Sequence, residues 1–228
     1  MTSLSRFDPL AEGYESWFAT PLGAFVAQRE RELILHLLEA NSGKTIVEVG
    51  SGTGYFLRED ALSGARCVGV EPSAEMLAVS MSRSGRAIDY VRGCGEALPI
   101  KDATVDAVLF MTTLEFVQDV DATIREAARV VRPDGRLVVG VLNAEGPWAQ
   151  ARRREGGLWR DARFFSGAEL KAELSHLGAI RVEYCVHVPP NASSWPRPLM
   201  RLADWLLRRL LPAKGALIGI QVRLGRPR

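Results

Sequence analysis

Hydrophobic positions along the chain alternate between two periods. Between residues 22 and 40, Leu33, Ile34, Leu37 and Leu38 fall at helical spacing with charges between them. Asn41-Ser42-Gly43 is a fitting stop, because Gly and Asn tolerate the left-handed C-terminal conformation. Thr45-Ile46-Val47-Glu48-Val49 then reads as a short β-branched strand running into a glycine-rich loop. A helix from Tyr55 to Ala61 and a second strand from Cys67 to Glu71 are expected next. Ser73 is a predicted N-cap for a helix through Ser82, with Met76, Leu77 and Met81 on its buried side. Ile88 to Val91, Val105 to Met111 and Arg136 to Val141 read as strands three to five, with a helix from Ala122 to Val131 before the last. Val105 to Met111 is nearly all apolar, as befits a strand covered on both faces. Asp106 is expected only to cap or orient it.

The last third departs from this rhythm. Ser166 should cap a helix that runs to about Leu177 and ends at Gly178. Ile180 to Val188 and Ala216 to Leu224 read as strands. Between them lie a proline-rich link and a stretch, Leu199 to Leu211, that is basic on one side and apolar on the other. Peripheral membrane contact or a homodimer surface would suit that stretch, although packing against the domain is the favoured use. The whole pattern predicts an α/β fold. Its sheet is doubly wound, mostly parallel and seven-stranded, with helices on both faces and an antiparallel C-terminal hairpin.

Composition narrows the function without naming it. The chain has 228 residues, of which 47% are hydrophobic and 25% charged, which suits one soluble domain with elaborations. A net charge of +2 without a basic patch gives no sign of nucleic-acid binding. Cys67, Cys94 and Cys185 are odd in number and widely spaced, which fits neither a disulfide framework nor a metal site. No apolar run is long enough for a membrane span and no signal peptide is evident, so a cytoplasmic location is expected.

The chemistry concentrates between Thr45 and Glu71. In Glu48-Val49-Gly50-Ser51-Gly52-Thr53-Gly54, alternate glycines clear side chains where a ligand must approach the backbone. In doubly wound sheets such a loop lies at the C-terminal edge, where ligands bind. Glu71, 21 residues after Gly50, ends the next strand and can accept the two ribose hydroxyls of an adenosine. A dinucleotide fingerprint beginning at Gly50 would need glycine at position 55, and Tyr55 stands there. A buried acid at Glu48 repels a pyrophosphate and welcomes an ammonium group. A cofactor with adenosine at one end and an amino acid at the other satisfies both carboxylates.

These residues resemble the first motif of class I S-adenosylmethionine-dependent methyltransferases, in the small-molecule group called type 11. The resemblance continues in order through Val70-Glu71-Pro72-Ser73-Ala74-Glu75-Met76-Leu77, Gly93-Cys94-Gly95-Glu96-Ala97-Leu98-Pro99, the run Val105 to Asp119, and Arg132-Pro133-Asp134-Gly135-Arg136-Leu137. It implies S-adenosylmethionine as cofactor. The backbone around Gly50, Ser51, Gly52 and Gly54 would hold the methionine end, Glu48 its amine, and Glu71 the ribose. Pro72 and Met76 would line the adenine, Gly95, Glu96 and Ala97 its other face, and Met111 would lie near the methionine chain. The chain departs from the pattern at Cys94, where the family usually has an acid, and at Phe110 and Met111, where polar residues are common.

The resemblance also implies one domain. Residues 1–44 form a helical lid, 45–141 a cofactor-binding core, and 142–228 a substrate-side segment with the terminal strands. Tyr14 and Trp17 could cover the sulfonium or anchor the terminal helix, and Phe116 is placed on the substrate side. Trp148 and Trp159, flanking Arg152-Arg153-Arg154, sit where such proteins build substrate walls. His36, His176 and His187 pair with no carboxylate motif, so no catalytic residue and no metal are assigned. The expected activity is methyl transfer to a small-molecule acceptor. An aminopropyl transferase and a cofactor-binding regulator or catalytically silent subunit are the alternatives.

Overall fold

A computed structural model of the chain describes residues 6–39, 43–58 and 64–225. Two 3₁₀ turns, Asp8–Leu10 and Tyr14–Ala19, precede α1 (Pro21–Leu38). Thr20 marks the start of that helix. Its Oγ1 accepts from the Gly23 N–H at 3.0 Å, and Pro21 occupies the first turn, where no intrahelical donor is needed. Leu33, Ile34, Leu37 and Leu38 are buried as their spacing predicts. The left-handed C-cap falls on Glu39 (φ 46°), earlier than Asn41-Ser42-Gly43. An ion pair of 2.8 Å between Glu39 and Arg136 of the sheet holds it there. Asn41 and Ser42 lie outside the described residues.

The sheet contains β1 (Thr45–Val49), β2 (Arg66–Glu71), β3 (Asp89–Arg92), β4 (Val105–Met111), β5 (Val131–Leu142), β6 (Gly178–Cys185) and β7 (Leu217–Leu224). Their order is β3-β2-β1-β4-β5-β7-β6. The first five are parallel, and β7 runs antiparallel to both neighbours. The seven-stranded α/β architecture is therefore the one expected. The terminal strands are an antiparallel pair but no tight hairpin, because a helix lies in their connection. Burial explains their order. β7 hides nearly every residue on both faces and needs an interior position, whereas β6 is half-buried and tolerates the edge.

Helices α2 (Ala74–Ser84), α3 (Val120–Val130), α4 (Pro147–Glu155), α5 (Gly167–Leu174) and α6 (Arg197–Leu210) complete the fold. Ser73 and Asp119 cap α2 and α3 through the N–H groups of Met76 and Ala122. The buried side of α2 is Met76, Val79 and Ser80, and Met81 is exposed. Positions i, i+3 and i+4 share a helix face, and i+5 turns away from it. A capping box between Ser166 and Glu169 opens α5. The helix tightens into a 3₁₀ turn at Ser175 and gives way to β6 at Gly178. The helix expected from Tyr55 to Ala61 is a series of turns as far as Arg58, and its remainder lies outside the described residues.

Packing covers both faces of the sheet. Phe110, Leu137, Phe165 and Leu170 fill one side, and Leu37, Leu38, Ile46 and Leu109 the other. Asp106 orients strands, as expected, accepting from the Thr45 N–H at 2.8 Å and pairing with Arg132 at 3.2 Å. Leu37 is fully buried between α1 and the sheet, so Leu37→Ala leaves a cavity there. We expect the variant to lose about 2–5 kcal/mol of unfolding free energy in urea titration, with its far-ultraviolet circular dichroism unchanged.

Candidate functional site

At the C-terminal ends of β1, β2 and β4 the fold opens into a cavity of about 290 Å³. The glycine loop forms one wall, and its shape follows from backbone geometry. The N–H groups of Gly50 and Ser51 both donate to the Val70 carbonyl, at 2.8 and 3.2 Å. Gly50 has φ +70°, and a Cβ there would overlap the side chain of Thr113. Thr113 crosses the end of β1 and donates to the Val49 carbonyl at 2.9 Å. Gly52, at φ +53°, faces open space. Gly54 makes room for the Tyr90 ring of β3, where a Cβ would meet the phenol oxygen.

Two predicted acids stand at this loop. Glu71 accepts from the Gly52 N–H through Oε2 and from the Ser73 N–H through Oε1, each at 2.9 Å. Burial raises its pKa, and those two N–H groups oppose the rise. Glu48 is 2% exposed, and its Oε2 meets no hydrogen-bond partner among the described residues. Burial, and then the charge on Glu71, push its pKa well above the ordinary carboxylate value. The site therefore holds a desolvated carboxyl with an unsatisfied oxygen beside a carboxylate that is already oriented.

The N-terminal segment is strapped across the opening. The Glu15 carboxylate takes both its oxygens to Arg58 Nη2 at 2.7 Å, and also binds Thr53 Oγ1 at 2.6 Å and Arg83 Nη1 at 2.9 Å. Asp8 accepts from Ser73 Oγ at 2.6 Å. Phe7 meets Phe116 edge to face at 5.1 Å, joining the strap to the loop after β4. Tyr14 borders the cavity. Burial and the carboxylates of Glu71, Glu30, Glu48 and Glu115 raise its pKa to about 12, so its hydroxyl keeps the proton at neutral pH.

Of the residues singled out from the sequence, Gly50, Gly52, Glu71, Pro72, Met76, Gly95, Glu96, Met111, Tyr14 and Phe116 border the cavity. Glu48, Ser51 and Gly54 stand outside that lining. Ala97 is exposed and pairs with Cys94 in a short bridge. Trp17 packs edge to face on Trp148 at 6.1 Å, an anchor for the terminal segment. Glu96 accepts from the Gln118 N–H at 2.9 Å and so ties the loop after β3 to the loop after β4. Sequence reasoning missed Phe7, Val49, Thr112, Thr113, Val117 and Gln118 in the lining, as well as the Glu15 strap. Phe7 and the Glu15 strap carry a weak signal because their contacts join residues far apart in sequence, whereas the others adjoin the predicted Gly50, Met111 and Phe116.

Residues 47–139 match the family described as the methyltransferase domain. An uncharacterised protein of Mycobacterium bovis is 33% identical across 81% of this chain. The chain spans 64% of that relative's length. A ubiquinone/menaquinone biosynthesis C-methyltransferase of Rubrivivax gelatinosus is 35% identical over 47% of this chain and 43% of its own. A solved SAM-dependent methyltransferase from Thermotoga maritima shares the fold, with a TM-score of 0.73 and 24% identity over 97% of this chain and 99% of its own. The segment that forms the sheet's parallel half and its glycine loop thus matches a methyltransferase domain, and the whole chain has the fold of a solved SAM-dependent methyltransferase.

The remaining titratable groups divide sharply. His36 and His176 are exposed. His187 is buried and structural, its N–H donating to Asp204 at 2.7 Å and its ring meeting the Pro212 carbonyl at 3.0 Å. Cys94 borders the cavity as a free thiol. Glu30 and Glu115, 7% and 2% exposed, are different. Glu115 accepts from the Leu142 N–H at 2.7 Å, yet its Oε2 meets no partner among the described residues. Burial lifts both carboxyls from an ordinary 4.5 to about 8.

That shift carries a sign. Between about pH 4.5 and 8 the folded chain binds protons that the unfolded chain has released, so stability falls as pH rises through this window and levels off above it. Glu15 and Glu39, held below the ordinary value, contribute stability that is lost only in more acid solution. We expect calorimetric Tm to fall between pH 6 and 8, and the slope to flatten in Glu30→Gln and in Glu115→Gln. A slope unchanged from the wild type in both variants would remove these carboxyls as its cause.

Proposed function

We propose that the chain transfers a methyl group from S-adenosylmethionine to a small-molecule acceptor. The observation that carries this reading is the pairing of two unlike acids at one glycine loop. Glu71 is pre-oriented by the Gly52 and Ser73 N–H groups, and Glu48 is buried with an unsatisfied oxygen. A ribose diol and an ammonium group are the partners such acids accept. Gly52 offers backbone without a side chain in open space, which suits the close approach of a bulky ligand. These features fit the cofactor.

Glu71 would hold the ribose and Glu48 the amine, with the backbone of Gly50 and Gly52 against the amino-acid end. Pro72 and Met76 on one side and Gly95 and Glu96 on the other would enclose the adenine. Bound S-adenosylmethionine supplies a methyl group already activated by its sulfonium. The protein's part is then alignment and exclusion of water, which is worth about 7–11 kcal/mol in favourable cases. Tyr14, Phe7 and Phe116 form an apolar wall that serves exclusion, and the Glu15 strap holds that wall in place. With its proton held to about pH 12, Tyr14 can donate a hydrogen bond to an acceptor but does not deprotonate one near neutrality.

Titration calorimetry tests the reading directly. S-adenosylmethionine and its demethylated product should bind and NAD should not; failure of both sulfur compounds to bind would overturn it. Glu71→Ala should weaken their binding by about 1.5–3 kcal/mol, the value of hydrogen bonds to a charged group. Unchanged affinity in that variant would refute the ribose assignment.

A further inference from the structure

Helix α6 is attached by one edge. Met200 and Asp204 are buried, and Asp204 fixes the helix to the domain through Arg29 Nε at 3.2 Å and the His187 N–H at 2.7 Å. The opposite face is exposed among the described residues. Leu199, Leu202, Leu206 and Leu210 are 44–65% exposed, and at 100° per residue they fall within one arc of the helix. Trp205, 52% exposed, lies beside that arc. Of the nine large hydrophobic residues exposed among the described residues, six lie between Leu199 and Leu211. A concentration of this kind on one element marks an interaction surface.

The charges on the same helix select the occupant. Arg197, Arg201, Arg208 and Arg209 are all exposed, and Asp204, the helix's one acid, is buried and paired to Arg29. Arg209 lies over the Trp205 ring at 3.9 Å, so an aromatic group and a cation share the rim of the apolar arc. Leucines at the centre, tryptophan and arginine at the margin and no exposed acid match a helix lying in a lipid–water interface, where arginine meets anionic headgroups. A second copy of the chain would bring like charges together across an isologous contact. No helix among the described residues is long and apolar enough to cross a membrane, so contact would be along the surface.

We propose that the exposed face of α6 docks the protein peripherally on membranes rich in anionic lipid. The surface is separate from the cavity, and the proposal stands whether or not the acceptor reading does. Sedimentation of the full chain with lipid vesicles provides the test. The protein should sediment with phosphatidylcholine vesicles containing one third phosphatidylglycerol, and not with phosphatidylcholine alone. Added salt should weaken the binding, because it screens the arginines. Leu202→Ser with Leu206→Ser, and separately Arg201→Glu with Arg208→Glu, should each lower partitioning by about tenfold or more. All four side chains are exposed, so the core is left intact.

No sedimentation with the anionic vesicles would overturn the proposal, as would equal binding to both vesicle types or unaltered binding by both double variants. A dimer in analytical ultracentrifugation that dissociates in the leucine double variant, without vesicle binding by the wild type, would assign the face to a second copy instead.

Discussion

The carboxylate of Glu71 joins three parts of the molecule. It stands on the last residue of β2, holds the glycine loop through the Gly52 N–H, and receives the Ser73 N–H at the start of α2. A buried carboxylate is stable only when its oxygens are satisfied, and here backbone donors on two elements satisfy it. The same bonds set the loop's position, which opens the cavity, and leave the acid facing that cavity. Gly50 completes the constraint from the other side, since its missing Cβ lets Thr113 bridge β4 to β1.

On this base the N-terminal segment is held by charge as much as by packing. Glu15 gathers Arg58, Arg83 and Thr53, and Asp8 reaches Ser73, the residue that caps α2. The strap thus fastens to the glycine loop and to the start of α2, while its aromatic residues, Phe7 and Tyr14, border the cavity. Trp17 anchors the same segment to Trp148 on α4. A domain whose core motifs are shared with many relatives can in this way be given its own outer wall.

The electrostatics of the interior run in one direction. Glu48, Glu30 and Glu115 are buried and their carboxyls titrate late, because burial disfavours the charged form; the charge on Glu71 adds to the effect at Glu48. Such groups destabilise the folded chain as pH rises, and buried acids with unsatisfied oxygens are found where a ligand is to be met. Glu48 has that place in the methyltransferase reading. The surface shows the opposite economy: the arginines of α6 stay in solvent, and its single acid is turned inward.

Local sequence was enough for the parallel core, the glycine loop and the two acids that stand beside it. These are local matters: β-branched runs, helix caps and a motif whose spacing excludes a dinucleotide fingerprint. It also placed Asp106, Ser73 and the antiparallel terminal strands. Tertiary structure alone decided which residues close the cavity. Phe7, Thr113 and Gln118 reach it across long stretches of chain, and Trp17 and Ala97 turn away from it for the same reason. It decided too that β7 lies inside β6, since β7 is buried on both faces and β6 is only half-buried. Finally, it showed that α6 buries only one edge, a fact its amphipathic pattern could not settle, since the pattern is the same whichever face meets protein.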